Sequence, residues 1–249
     1  MLSLSPRLLR TALLVGLLAL PAHLASAQDR VRETRSVASF TEIEYALPGT
    51  LHLRQGDAQS VEIDAPEAVL DKIETTVDGG SLEISDGNGS GFFDRFFGDG
   101  GLDTDDIDVY VTAPTINAVT LAGSGRVVGE TRLTSASFSL SVAGSGDMTL
   151  DLDAEDLTVR VAGSGECTLQ GQANTLDVNI AGSGDLRAAD LETKRADVRI
   201  AGSGDAELNV ADRLTAEIIG SGNVRYRGRP TVDTTTLGSG AVRSMNGGS

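Results

Sequence analysis

Seven serines recur at a near-constant interval, each held between two glycines. They are Gly123-Ser124-Gly125, Gly144-Ser145-Gly146, Gly163-Ser164-Gly165, Gly182-Ser183-Gly184, Gly202-Ser203-Gly204, Gly220-Ser221-Gly222 and Gly238-Ser239-Gly240. A row of hydroxyls could offer nucleophiles or ligand contacts. It could equally be a ladder bonded to itself and to turn backbone, a common use of serine. The GxSxG elbow of hydrolases is absent, as is the Lys-Ser/Thr that completes a phosphate-binding loop. Recurrence at every turn is what architecture demands, so the serine column is expected to be structural.

The residue after each phrase forms a second column: Arg126, Asp147, Glu166, Asp185, Asp205, Asn223 and Ala241. Stacked carboxylates at Asp147, Glu166, Asp185 and Asp205 would repel one another unless separated by water or bridged by a cation. Calcium, which collects carboxylate and carbonyl oxygens, is the candidate metal. The chain lacks the nonapeptide period of calcium-binding β-rolls, so a solvated acidic edge stands as the alternative. Asp103, Asp105, Asp106 and Asp108 make a second acidic cluster, without the ordered spacing of an EF-hand loop. No other cofactor is implied.

Enzymatic constellations are sparse. His52 is the one histidine outside the first 27 residues, and no HExxH occurs. Arg187, Arg225 and Arg243 fall in one outward column with Glu207, an arrangement a polysaccharide lyase could use. Tryptophan is absent, however, and only nine aromatic residues are available as sugar platforms. A non-catalytic binding scaffold is the expected role, with a carbohydrate-acting lyase or hydrolase as the alternative. Cys167, the single cysteine, excludes an intrachain disulfide. It falls in register with Met148, Leu186, Val224 and Val242, all read as inward-facing, and is expected to act as a small buried hydrophobe.

The elements that position these columns follow from the spacing. First glycines are 21, 19, 19, 20, 18 and 18 residues apart. Before each corner stands a strictly alternating strand, such as Leu157-Thr158-Val159-Arg160-Val161, with one face apolar and the other polar. Alternation resumes after the corner and ends in a polar turn such as Gly171-Gln172-Ala173-Asn174. Short strands at a fixed period predict an all-β solenoid, each coil burying its apolar side against its neighbours. The second glycine of each corner is expected to take positive φ, and the first to permit a tight bend.

Upstream, Ser39–Tyr45, Thr50–Arg54, Ser60–Asp64, Lys72–Val77 and Ser81–Ile84 also alternate, separated by turn residues. They predict either irregular first coils or a small capping sheet, with a helical turn over Glu67–Ile73. Taken with the AGSG corners, the run Phe40-Thr41-Glu42-Ile43-Glu44, Leu51-His52-Leu53-Arg54-Gln55-Gly56-Asp57 and Gly79-Gly80-Ser81-Leu82-Glu83-Ile84 resembles the bacterial "putative auto-transporter adhesin, head-GIN domain" family. The resemblance covers residues 37–245. It implies a right-handed parallel β-helix and a secreted adhesin-like role, and it supplies no catalytic motif.

Arg7 and Arg10, the apolar run Leu13–Leu20, Pro21 and Ala25-Ser26-Ala27 read as a signal peptide over residues 1–27. A linker over 28–36, one β-helix domain over 37–245 with its repeats over 116–245, and a disordered tail over 246–249 complete the expected map. Export to the periplasm or the cell exterior follows, without lipidation and without a transmembrane segment in the mature chain. The net charge is −16, from 20 basic and 36 acidic residues. Removing the leader leaves 18 basic residues against 36 acidic ones, or −18, a field that repels nucleic acid and anionic lipid. An envelope or surface protein or glycan is the expected partner. Residues 86–106 form a Phe-, Asp- and Gly-rich insertion. Phe92, Phe93, Phe96 and Phe97 are its candidate contact residues, for packing against the solenoid, for a partner, for a second copy or for a membrane surface.

Overall fold

The computed structural model describes residues 30–87 and 106–245. The expected leader, the four phenylalanines of the insertion, Asp103, Asp105 and the tail 246–249 lie outside the described residues. Alternation in each repeat becomes a strand with one buried face. Among the described residues, seventeen strands join in one sheet that coils into a β-solenoid of about seven turns, roughly 19 residues apart. Five long strands carry the repeats: β10 (Leu133–Gly144), β11 (Asp147–Gly163), β12 (Glu166–Gly182), β13 (Asp185–Gly202) and β14 (Ala206–Gly220). They pair in parallel, with equivalent residues side by side. The expected polar turn Gly171–Asn174 lies within β12, where the strand bends without leaving the ladder.

Inward columns interlock along the axis. Val142, Val161, Ile180, Ile200 and Ile218 stack in one, and Phe138, Leu157, Leu176, Ala196 and Leu214 in another; all are buried. Burying one such Val, Leu or Ile contributes about 1.5–3 kcal/mol, repeated at every coil. The extra residues of the fourth repeat are absorbed by register shifts around Ala188–Glu192. The final coil, β15 (Asn223–Arg227), β16 (Thr231–Gly238) and β17 (Ala241–Ser244), places Thr234 and Thr236 in the inward columns. All of β16 is exposed, which suits a terminal turn with no successor.

The positive φ falls on the other glycine of the corner from the one the sequence suggests. The first glycine of every phrase takes positive φ, from 101° at Gly123 to 135° at Gly202. From the second corner onward both glycines are also needed for closeness: a Cβ on Gly144 would lie 2.4 Å from the Gly123 carbonyl oxygen, and one on Gly146 2.4 Å from that of Gly125. Stacking leaves no room for a side chain on that line.

The N-terminal region is both coil and cap. Strands β2 (Glu42–Tyr45) and β3 (Thr50–Gln55) form a solenoid coil placed out of chain order. That coil lies between one made by β6 (Ser81–Ser85) and β7 (Asp108–Ala113) and one made by β8 (Ala118–Gly123) and β9 (Arg126–Gly129). Antiparallel β4 (Ser60–Pro66) covers β7, and antiparallel β5 (Glu74–Asp78) covers β6. Helix α1 (Glu67–Leu70) supplies the expected turn. The segment expected as a linker is instead β1 (Arg30–Arg35), paired antiparallel with β4. Its alternating Arg30, Arg32 and Thr34 carry no hydrophobic pattern, because β1 is held by charge.

Candidate functional site

The serine column faces water. All seven corner serines are exposed, and the ladder is made by their backbone N–H groups rather than by their hydroxyls. The N–H groups of Ser145 and Gly146 both donate to the Gly123 carbonyl, at 2.9 and 3.0 Å, and the pattern repeats up the stack. No base approaches these hydroxyls among the described residues, so the column is a corner support.

The acidic column carries its own neutralisation. The backbone N–H of Asp205 donates to the Asp185 carboxylate at 2.9 Å, and the N–H of Asn223 donates to the Asp205 carboxylate at 2.8 Å. Arg187 pairs with Glu166 at 2.8 Å, and Arg126 lies 3.8 Å from Asp147. Among the described residues no three His, Cys, Asp or Glu side chains converge as a metal set. Asp147, Glu166, Asp185 and Asp205 are therefore held by hydrogen bonds and arginines, and the structure does not gather them into a calcium cage.

Asp106 and Asp108, the described members of the second acidic cluster, are likewise paired. Arg30 reaches from β1 to Asp106, to Asp108 at 2.8 Å and to Asp64 at 2.9 Å. Arg30 first, and then Arg32, hold the Asp64 carboxyl below the usual carboxylate range. Beside this clasp, Arg32 lies 4.6 Å above the Tyr110 ring, which stacks on His52 at 4.7 Å. His52 stands between Glu130 at 3.0 Å and Asp108 at 3.3 Å, an outward strand residue tied into the cap.

Arg187, Glu207, Arg225 and Arg243 do share one outward column. Arg225 is engaged by Glu207 at 3.0 Å and by Asp205 at 3.5 Å. With Arg187 on Glu166, two of the column's guanidiniums are already paired, and a lyase would need them for its substrate. Cys167 is fully buried between Met148 and Leu186. Burial first, and then the neighbouring Glu166, push its thiol up to about 12.

A concavity lies elsewhere, where β10–β14 bend. It is a groove of about 680 Å³ running along the axis. Ala154, Ala173 and Thr193 stack in register as its floor. Asp153, Gln172 and Glu192 form one rim. Glu155, Asn174 and Lys194 form the other. Thr134 and Ala136 begin the trough and Ala211 ends it, so five successive coils contribute. Sequence reading passed over these residues as turn polarity. The available signal was a polar-small-polar triplet at the same place in consecutive repeats.

Residues 39–230 match the family described as "Putative auto-transporter adhesin, head GIN domain". The chain belongs to this family. Solved structures share the head GIN fold. A "putative adhesin" from Bacteroides fragilis NCTC 9343 superposes with a TM-score of 0.78 at 21% identity, over 88% of this chain and 98% of that one. A "Putative lipid binding protein" from Parabacteroides distasonis ATCC 8503 gives 0.69 at 22% identity, with the same coverage. A "putative adhesin" from that same strain also gives 0.69 at 22%. At such identities the likeness is one of fold. No curated protein matches the sequence. The corner ladder and inward columns account for the head GIN repeat, while the groove rims are outward positions that the fold leaves open to choice.

Proposed function

We propose that this head GIN domain is an exported, non-catalytic binding scaffold of adhesin type whose ligand lies along the β10–β14 groove. The observation that carries the reading is the groove itself. Its volume of about 680 Å³ falls within the range of ligand sites, and polar side chains line both sides of a small-residue floor. Catalysis by its carboxylates would call for one acid held in an apolar pocket and a second in a polar one. Asp153 is half-buried, and Glu155 and Glu192 are exposed, so no rim acid has the apolar enclosure. Export rests on the leader pattern over residues 1–27 and accords with the adhesin family.

The test uses the mature chain, residues 28–249, on bacterial cell-envelope preparations and on a panel of polysaccharides. Saturable envelope binding is expected, reduced by Asn174→Trp, which places bulk over the floor, with no release of reducing ends. Release of reducing ends, or binding indifferent to Asn174→Trp, would contradict the reading.

A further inference from the structure

The groove has a period, and the period discriminates among ligands. Each coil advances about 4.8 Å along the axis and repeats the same triplet: rim, floor, rim. Asp153-Ala154-Glu155, Gln172-Ala173-Asn174 and Glu192-Thr193-Lys194 are consecutive readings of one frame. A polymer lying along the axis meets equivalent contacts only if its own repeat keeps step. An extended peptide advances about 3.3 Å per residue, with side chains on one face every second residue, and so drifts out of phase with the coils. A sugar unit in an extended β-linked glycan advances by about one coil. Its hydroxyls lie at its edges, where the rims offer amides and carboxylates, and its apolar C–H faces can rest on the alanine floor.

The charge of the rims narrows the class. Asp153, Glu155 and Glu192 stand against Lys194 alone, within a chain of net charge −16. Uronates, phosphorylated polymers and anionic lipid headgroups meet repulsion there. Gln172 and Asn174 occupy the central coil, and each offers both a donor and an acceptor to a neutral hydroxyl or acetamido group.

We infer that the groove binds a neutral, extended β-linked oligosaccharide parallel to the solenoid axis, about one sugar per coil. This rests on the groove being the ligand site proposed above and adds the ligand's class. The probes are soluble β-linked glucose and N-acetylglucosamine oligomers of two to six units, with an oligouronide for comparison. They are titrated calorimetrically into the mature chain. Affinity is expected to rise with length to about four or five units, matching a trough roughly 20 Å long, and then to level off. The double variant Gln172→Ala/Asn174→Ala, whose side chains are exposed, is expected to fold as the parent does and to bind roughly tenfold or more weakly.

Absence of oligosaccharide binding, while envelope binding still depends on the groove, overturns the glycan class and leaves the scaffold reading standing. Equal binding of the oligouronide overturns the inference from charge. Oligosaccharide binding that ignores both the double variant and Asn174→Trp removes the groove as the site, and both readings fall.

Discussion

The backbone N–H of Arg126 donates to the carbonyl oxygen of Gly49 at 2.9 Å. This bond joins the first Gly-Ser-Gly repeat to a coil that lacks the phrase. The corner Ala46–Gly49 takes the place of a repeat corner, and a Cβ on Gly125 would enter the Leu47 carbonyl just as one on Gly146 would enter that of Gly125. The tight line of corners therefore extends beyond the repeats into the N-terminal region. One geometric rule, a backbone too near its neighbour for a side chain, governs both.

The cost of that closeness can be separated from the cost of positive φ by experiment, because Gly123 alone among the corner glycines has open space at its Cβ position. Gly123 has positive φ but open space around its Cβ position, whereas Gly146 faces backbone. Gly123→Ala is expected to cost about 1–2 kcal/mol of conformational strain. Gly146→Ala is expected to cost about 3 kcal/mol or more, because the backbone it meets cannot yield without opening the ladder. Denaturant unfolding of the two variants provides the comparison. Equal costs, or a larger one at Gly123, would mean that the corners are not stacked as described.

The clasp around Arg30 gives a pH dependence whose sign is fixed. Hydrogen bonds from Arg30 and then Arg32 lower the Asp64 carboxyl in the folded protein below its unfolded value of about 3.9. Its contribution to stability is complete above that unfolded value and is lost as pH falls through the depressed one. Asp64→Asn lacks the charge at every pH. Melting temperatures should therefore favour the parent at pH 7, with the gap closing from about pH 4 downward. A gap that stays constant with pH, or widens in acid, would show that the clasp does not couple to folding.

Cys167 should be silent in the folded state. Its thiol is fully buried and pushed up to about 12, so thiolate is scarce and reagent has no path to it. Ellman's reagent at pH 8 is expected to find no thiol in the native protein and one per chain after denaturation. Rapid labelling of the native protein would place the Met148, Cys167 and Leu186 column outside the core.

The repeats were legible because their chemistry is local. Alternation in Leu157–Val161 names the buried face, and a glycine pair names the corner. Three features were not legible, each for a physical reason. The crowding at a corner depends on what lies one coil away: Gly144 and Gly146 are constrained by the oxygens of Gly123 and Gly125, 21 residues distant. The position of the β2–β3 coil between β6–β7 and β8–β9 follows from pairings that no periodicity records. The groove residues Gln172 and Asn174 resemble turn residues along the chain and become rims only when stacked beside Asp153 and Glu155. The partners of the acidic columns were hidden in the same way, since Arg30 and Arg187 reach their aspartates and glutamate from other strands.

Register is what all of this shares, and paired cysteines measure it directly. Ser145 and Ser164 occupy equivalent corners of adjacent coils and are exposed, with Ser183 one coil further on. Adjacent coils lie about 4.8 Å apart, within disulfide reach, and alternate coils lie about twice as far, beyond it. Under mild oxidation, mass spectrometry of Ser145→Cys/Ser164→Cys should show a near-complete intrachain disulfide. Ser145→Cys/Ser183→Cys should remain reduced. A reduced adjacent pair, or equal cross-linking of both pairs, would contradict the in-register stack on which the corner ladder, the core columns and the groove all depend.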